Sequence, residues 1–110
     1  MNGILVVTSE QIAGKIIKQH LGLVRGNTIR ARHIGKDILA GLRNIVGGEI
    51  HEYTKLMAES REQAIDRMLD EARGLGANAV VSVRFTTSMI SQGAAELLVF
   101  GTAVRYEDQG

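Results

Sequence analysis

No cysteine occurs in the 110 residues, which removes disulfides, thiolate metal sites and thiol catalysis together. Proline is also absent, so the turns depend on the 13 glycines and on positive φ rather than on a fixed ring. Aromatic residues are scarce, with two Phe, two Tyr and no Trp, too few for the stacking platform that single-stranded nucleic acid requires. A net charge of +1 supplies no long-range field to gather nucleic acid or an anionic membrane. No apolar run approaches the roughly 20 residues that cross a bilayer. The opening Met1-Asn2-Gly3-Ile4-Leu5-Val6-Val7 has no basic leader, and its apolar stretch is too short for a signal peptide. The expected location is the cytoplasm, with neither nucleic acid nor membrane as a partner.

What is present describes one globular domain over residues 1–110. Hydrophobic residues make up 45% and charged residues 23%, an ordinary balance for a folded chain. A chain of this size buries roughly two thirds of its unfolded surface, enough for one modest core.

Ile4 to Val7 is a short branched apolar run and reads as a strand. From Lys15 to about Ala31 the pattern is extended and interrupted by Gly22 and Gly26-Asn27, a long bent strand or loose hairpin. Ile38, Leu42 and Ile45 then recur at helical spacing behind Asp37 as N-cap, and Gly47-Gly48 ends this short helix. A longer helix is expected from about Ile50 to Arg73. Met57, Ala64, Ile65, Met68, Leu69 and Ala72 form its stripe, and Glu59, Glu62, Asp66, Asp70 and Glu71 its solvated face. Gly74 and Gly76 stop it.

Two strands close the chain. Residues 79–87 alternate, with Ala79, Val81, Val83 and Phe85 assigned to one face and Val80, Ser82, Arg84 and Thr86 to the other. After a turn at Gln92-Gly93, residues 96–106 return as the second arm of an antiparallel hairpin. The fold class is therefore α+β, an antiparallel sheet with a helix packed on one face in two layers.

The last strand is apolar on both sides, with Leu97, Val99 and Ala103 on one and Leu98, Phe100 and Val104 on the other. One long helix covers one face of a small sheet, so the surplus points to a homo-oligomer unless the short helix and the first strand cover the remainder. A charge introduced there, Val99→Asp, is expected to dissociate the assembly or unfold the chain.

Several runs carry a family resemblance: Gly22 to Gly26, Asp37 to Glu49, Tyr53-Thr54, Arg61 to Ala64, Gly76 to Val81 and Gly101 to Val104. Together they span nearly the whole chain, and it resembles the YbjQ-like family of small prokaryotic proteins. That resemblance implies a dodecin-like sandwich assembled as a propeller-like homopentamer. It also carries the family's heavy-metal-binding label.

His20, His33 and His51 show none of the short spacings that pair imidazoles on a metal, so they read as surface residues unless ring symmetry gathers one from each copy. The metal alternative rests on His33, His51 and Glu49. The stronger polar group is Asp37, Arg43, Asn44, Glu49 and Tyr53, either a small-molecule or anion pocket with Arg43 as its clamp or a capping network at a helix junction. The basic stretch Arg25, Arg30, Arg32, Lys36 and Arg43 reads as a strand face whose natural partner is the acidic helix. No nucleophile motif or phosphate loop occurs, so the balance leans away from an enzyme. No cofactor is expected, and the function is a homo-oligomeric small-ligand-binding or scaffold module. Metal binding by ring-gathered ligands is the alternative, and an enzyme the third.

Overall fold

A computed structural model of the chain describes residues 3–30, 50–91 and 94–109, with the side chains of all of these except 30, 50–56, 89–91 and 94. The expected short helix over residues 38–46 with its Asp37 cap, and the Gln92-Gly93 turn, lie outside the described residues.

Among the described residues five elements follow in order: β1 (Leu5–Val6), β2 (Lys15–Arg30), α1 (Ile50–Gly74), β3 (Ala79–Ser91) and β4 (Ala94–Asp108). The four strands form one sheet in the order β1-β3-β4-β2. β4 pairs antiparallel with both neighbours, whereas β1 lies parallel to β3. The sheet is therefore mixed, a correction to the purely antiparallel sheet expected from the hairpin. The parallel pairing comes from a two-residue strand joined through a long connection, which leaves no local pattern to read.

The long extended segment is one strand rather than a hairpin, and register shifts near Ile17 and His20 bend it. β3 carries a second irregularity. Ser82 adopts a left-handed φ of 56°, and the register with β4 slips between Val81 and Arg84. One extra residue inverts the alternation beyond it. Val80 and Val83 thus face the helix together, while Ala79 and Val81 face the opposite side. This overturns the single-face set of Ala79, Val81, Val83 and Phe85. The bulge is held from outside the sheet, because the Ser82 N–H donates to the Ser9 carbonyl at 2.9 Å and the Val83 N–H to the Val7 carbonyl at 3.1 Å.

α1 packs on one face through the stripe its periodicity predicted. Ala64, Met68, Leu69 and Ala72 are buried against Val24, Val80, Val99 and Ala103. Glu59, Glu62, Asp66, Asp70 and Glu71 are exposed. The helix closes on Gly76 with φ +80°. Its N–H donates to the Arg73 carbonyl at 3.0 Å, and the next N–H, of Ala77, reaches back to the Ala72 carbonyl at 3.1 Å. These two bonds define a Schellman stop, sealed by the buried pair Ala72 and Ala77.

Asn78 stands just before β3, and its side-chain amide imitates a strand residue. Its Nδ2 donates to the Tyr106 carbonyl at 3.0 Å and its Oδ1 accepts the Tyr106 N–H at 2.9 Å. A short segment after β1 runs over the sheet face away from the helix. Val7 and Ile12 cover Ala79, Val81 and Val104 there, with Ile17 and Tyr106 alongside.

Candidate functional site

The cover supplied by Val7 and Ile12 stops short of the other half of that face. The register places Arg84, Phe100 and Arg25 in one cross-strand row, Thr86, Leu98 and Asn27 in the next, and Ser88, Glu96 and Ile29 in a third. Cross-strand partners share a face, and β4 residues 97, 99, 101 and 103 point at the helix, so these three rows point away from it. Thr102 and Leu23 form the row that borders the covered half.

On this open face Leu23 is 62% exposed and Ile29 55% exposed. Leu98 and Phe100 are half-buried between them. Phe100 lies diagonal to Leu23, and Leu98 diagonal to Ile29, a spacing that large side chains bridge. The four make a contiguous apolar patch. Its polar members include both signs. The Asn27 amide donates to Glu96 Oε2 at 3.0 Å, and Arg84 donates to the Thr8 and Val83 carbonyls at 2.8 and 2.9 Å. Arg25 is exposed beside Phe100. No charged residue is buried beneath the patch among the described residues.

Of the residues the sequence singled out, His33, Asp37, Arg43, Asn44 and Glu49 lie outside the described residues. His51 and Tyr53 fall on the first turns of α1, where only the backbone is described. His20 is an exposed residue of β2, paired in register with Val104. Among the described residues no three His, Asp or Glu side chains converge on a point that could hold a metal ion. With no thiolate anywhere in the chain, the described donors do not fit a soft heavy metal.

The acidic helix and the strand it was expected to face do meet, though differently. Glu71 Oε1 accepts the backbone N–H of Arg25 at 3.1 Å, not its guanidinium. Arg67 donates to the Asn27 carbonyl at 2.5 Å. Sequence reasoning placed Glu71 on a solvated face. No local spacing reveals a bond to main chain 46 residues away.

Among the described residues, one helix on one side of a mixed four-stranded sheet, with an exposed apolar patch on the other, defines a small α+β module. Residues 4–107 match the model of the YbjQ family, described as "Putative heavy-metal-binding". The UPF0145 protein of Hahella chejuensis is 56% identical over 103 residues, covering 94% of this chain and 99% of that relative. The UPF0145 protein of Archaeoglobus fulgidus is 58% identical over 102 residues, covering 93% and 94% of the two chains. The chain belongs to this family. A crystal structure of a protein of unknown function from Pediococcus pentosaceus superposes with a TM-score of 0.62 at 14% identity, covering 96% of this chain and 99% of that one. That likeness shows the shared fold.

Proposed function

We propose that the chain is a self-associating scaffold or small-ligand-binding module whose copies join through the sheet face opposite α1. The observation that carries this reading is the pair Leu23 and Ile29, more than half exposed around Leu98 and Phe100 on the face opposite α1. Full burial of one such side chain is worth about 1.5–3 kcal/mol, so four of them form a substantial drive to find a cover. A second copy suits the patch because the face carries Arg84 and, two rows away, Glu96. Opposite charges on one surface can match across a symmetric contact. The assembly number taken here is five, in the dodecin-like, propeller-shaped ring that the family resemblance implies. Small ligands would then lie at subunit junctions, with Asp37, Arg43, Asn44, Glu49 and Tyr53 as the residues assigned to hold them.

The double variant Leu23→Asp, Ile29→Asp tests the interface. Both side chains are largely exposed within one chain, so the subunit should keep its circular dichroism spectrum. Two new carboxylates per copy at a shared apolar contact should disperse the assembly into monomers in sedimentation velocity. A folded double variant that sediments like its parent would remove this face from the assembly.

A further inference from the structure

The outer edge of β2 is treated differently from the rest of the sheet. Among the described residues, β2 is a 16-residue edge strand with β4 on one side only. Its residue Arg25 donates its backbone N–H to Glu71 and not to β4, and two residues on the Asn27 carbonyl accepts from Arg67. Alternate residues of a strand turn their N–H and C=O to the same side. These are therefore a neighbouring donor and acceptor on the outward edge, the groups with which an added strand would begin its ladder. A carboxylate holds the donor and a guanidinium holds the acceptor, each in the charge sense that strengthens the bond.

The reach of these two side chains is built into the packing. Arg67 and Glu71 stand one helical turn apart on α1. The helix lies so close to β2 that a Cβ on Gly26 would sit 2.0 Å from the Ala64 carbonyl oxygen and 2.9 Å from Arg67 Cβ. Gly26 thus brings the helix to the edge, and residues 67 and 71 close over it. Long bare edges are templates for strand addition, and charged side chains are a common device against it.

The strand that an unguarded β2 would admit is also present in the chain. β1 and the segment after it run beside β3 only as far as Val83. Among the described residues, β3 beyond that point pairs with β4 alone. β2 and β3 both run antiparallel to β4, so β2 of one copy could take β3 of the next in parallel. Such a head-to-tail contact continues from copy to copy unless its rotation closes a ring.

We propose that Arg67 and Glu71 are an edge guard, holding the main-chain donor of Arg25 and acceptor of Asn27 so that β2 is denied to the β3 edge of a second copy. In the context of the proposed assembly, the guard directs association to the open sheet face. The guard itself does not depend on that assembly existing.

The test compares the parent with Arg67→Ala, Glu71→Ala in sedimentation velocity across a tenfold range of concentration. Both positions are exposed on the helix, where alanine is the best helix former, so the spectrum of the folded subunit should persist. The weight-average mass of the variant should rise with concentration to at least about twice that of the parent. Adding Arg25→Pro, which removes the freed donor and is tolerated on an edge strand, should return the size to that of the parent. A double variant that keeps the parent's size at every concentration overturns the guard. So does enlargement that Arg25→Pro leaves unchanged, because it would then run through another surface. A parent that is itself monomeric defeats the proposed assembly but leaves this comparison intact.

Discussion

Gly26→Ala should lower the stability of the chain by about 3 kcal/mol, the upper end of what overpacking usually costs. The new methyl has nowhere to go. Its ideal position is 2.0 Å from the Ala64 carbonyl oxygen and 2.5 Å from the Met68 amide nitrogen, both main-chain atoms of α1. A flexible side-chain tip could swing aside, but a helix backbone cannot without moving as a body. Relief requires α1 to lift from β2, which loosens the buried Ala64 and Met68 against Val24 and Val99. In a domain of this size the loss corresponds to a fall of roughly 10 °C or more in melting temperature. Calorimetry of the single variant checks it, and a melting point within a few degrees of the parent would show that the helix does not rest on the strand at this residue.

Val99→Asp should be more damaging still, and for a different reason. Val99 is fully buried on the helix side of β4. A carboxylate there would lose the apolar burial of the valine and enter an environment with no described cation beside it. Together these exceed about 4 kcal/mol, a large share of the roughly 5–15 kcal/mol that holds a small domain together. The expected result is an unfolded or aggregated chain by circular dichroism, not a folded subunit that has merely left its assembly. A soluble, folded and dissociated Val99→Asp protein would place the interface on the helix side of the sheet. The contrast with Leu23→Asp, Ile29→Asp is the point. Adjacent strands carry one substitution that should destroy the subunit and another that should only separate it.

Much of this fold was legible because it is written in local periodicity. The α1 stripe of Ala64, Met68, Leu69 and Ala72 repeats at helical spacing and is buried as expected. Gly76 marks the helix stop because its positive φ leaves few other residues suited to the position. β4 carried the most informative pattern, since apolar residues on both its sides announced a face that one helix could not cover. What escaped the sequence depends on distant partners. Serine is an unusual occupant of positive φ, so the bulge at Ser82 could not be anticipated, and with it the faces of β3 were assigned wrongly. The parallel pairing of β1 rests on two residues, and Val99, expected at the subunit contact, is buried on the helix side instead. The Arg67 and Glu71 contacts were hidden for a related reason, because their partners are main-chain atoms of a strand some 40 residues earlier. Of the polar constellation, Tyr53 alone falls on described backbone, at the start of α1.

Native mass spectrometry of the purified chain, without added metal, tests the central claim most directly. A folded subunit of 11.9 kDa that buries its open sheet face against copies of itself should appear as a single closed oligomer, with five copies the number proposed. A chain that sprays only as the monomer at micromolar concentration would contradict the account, since Leu23, Ile29, Leu98 and Phe100 would then stand uncovered in water.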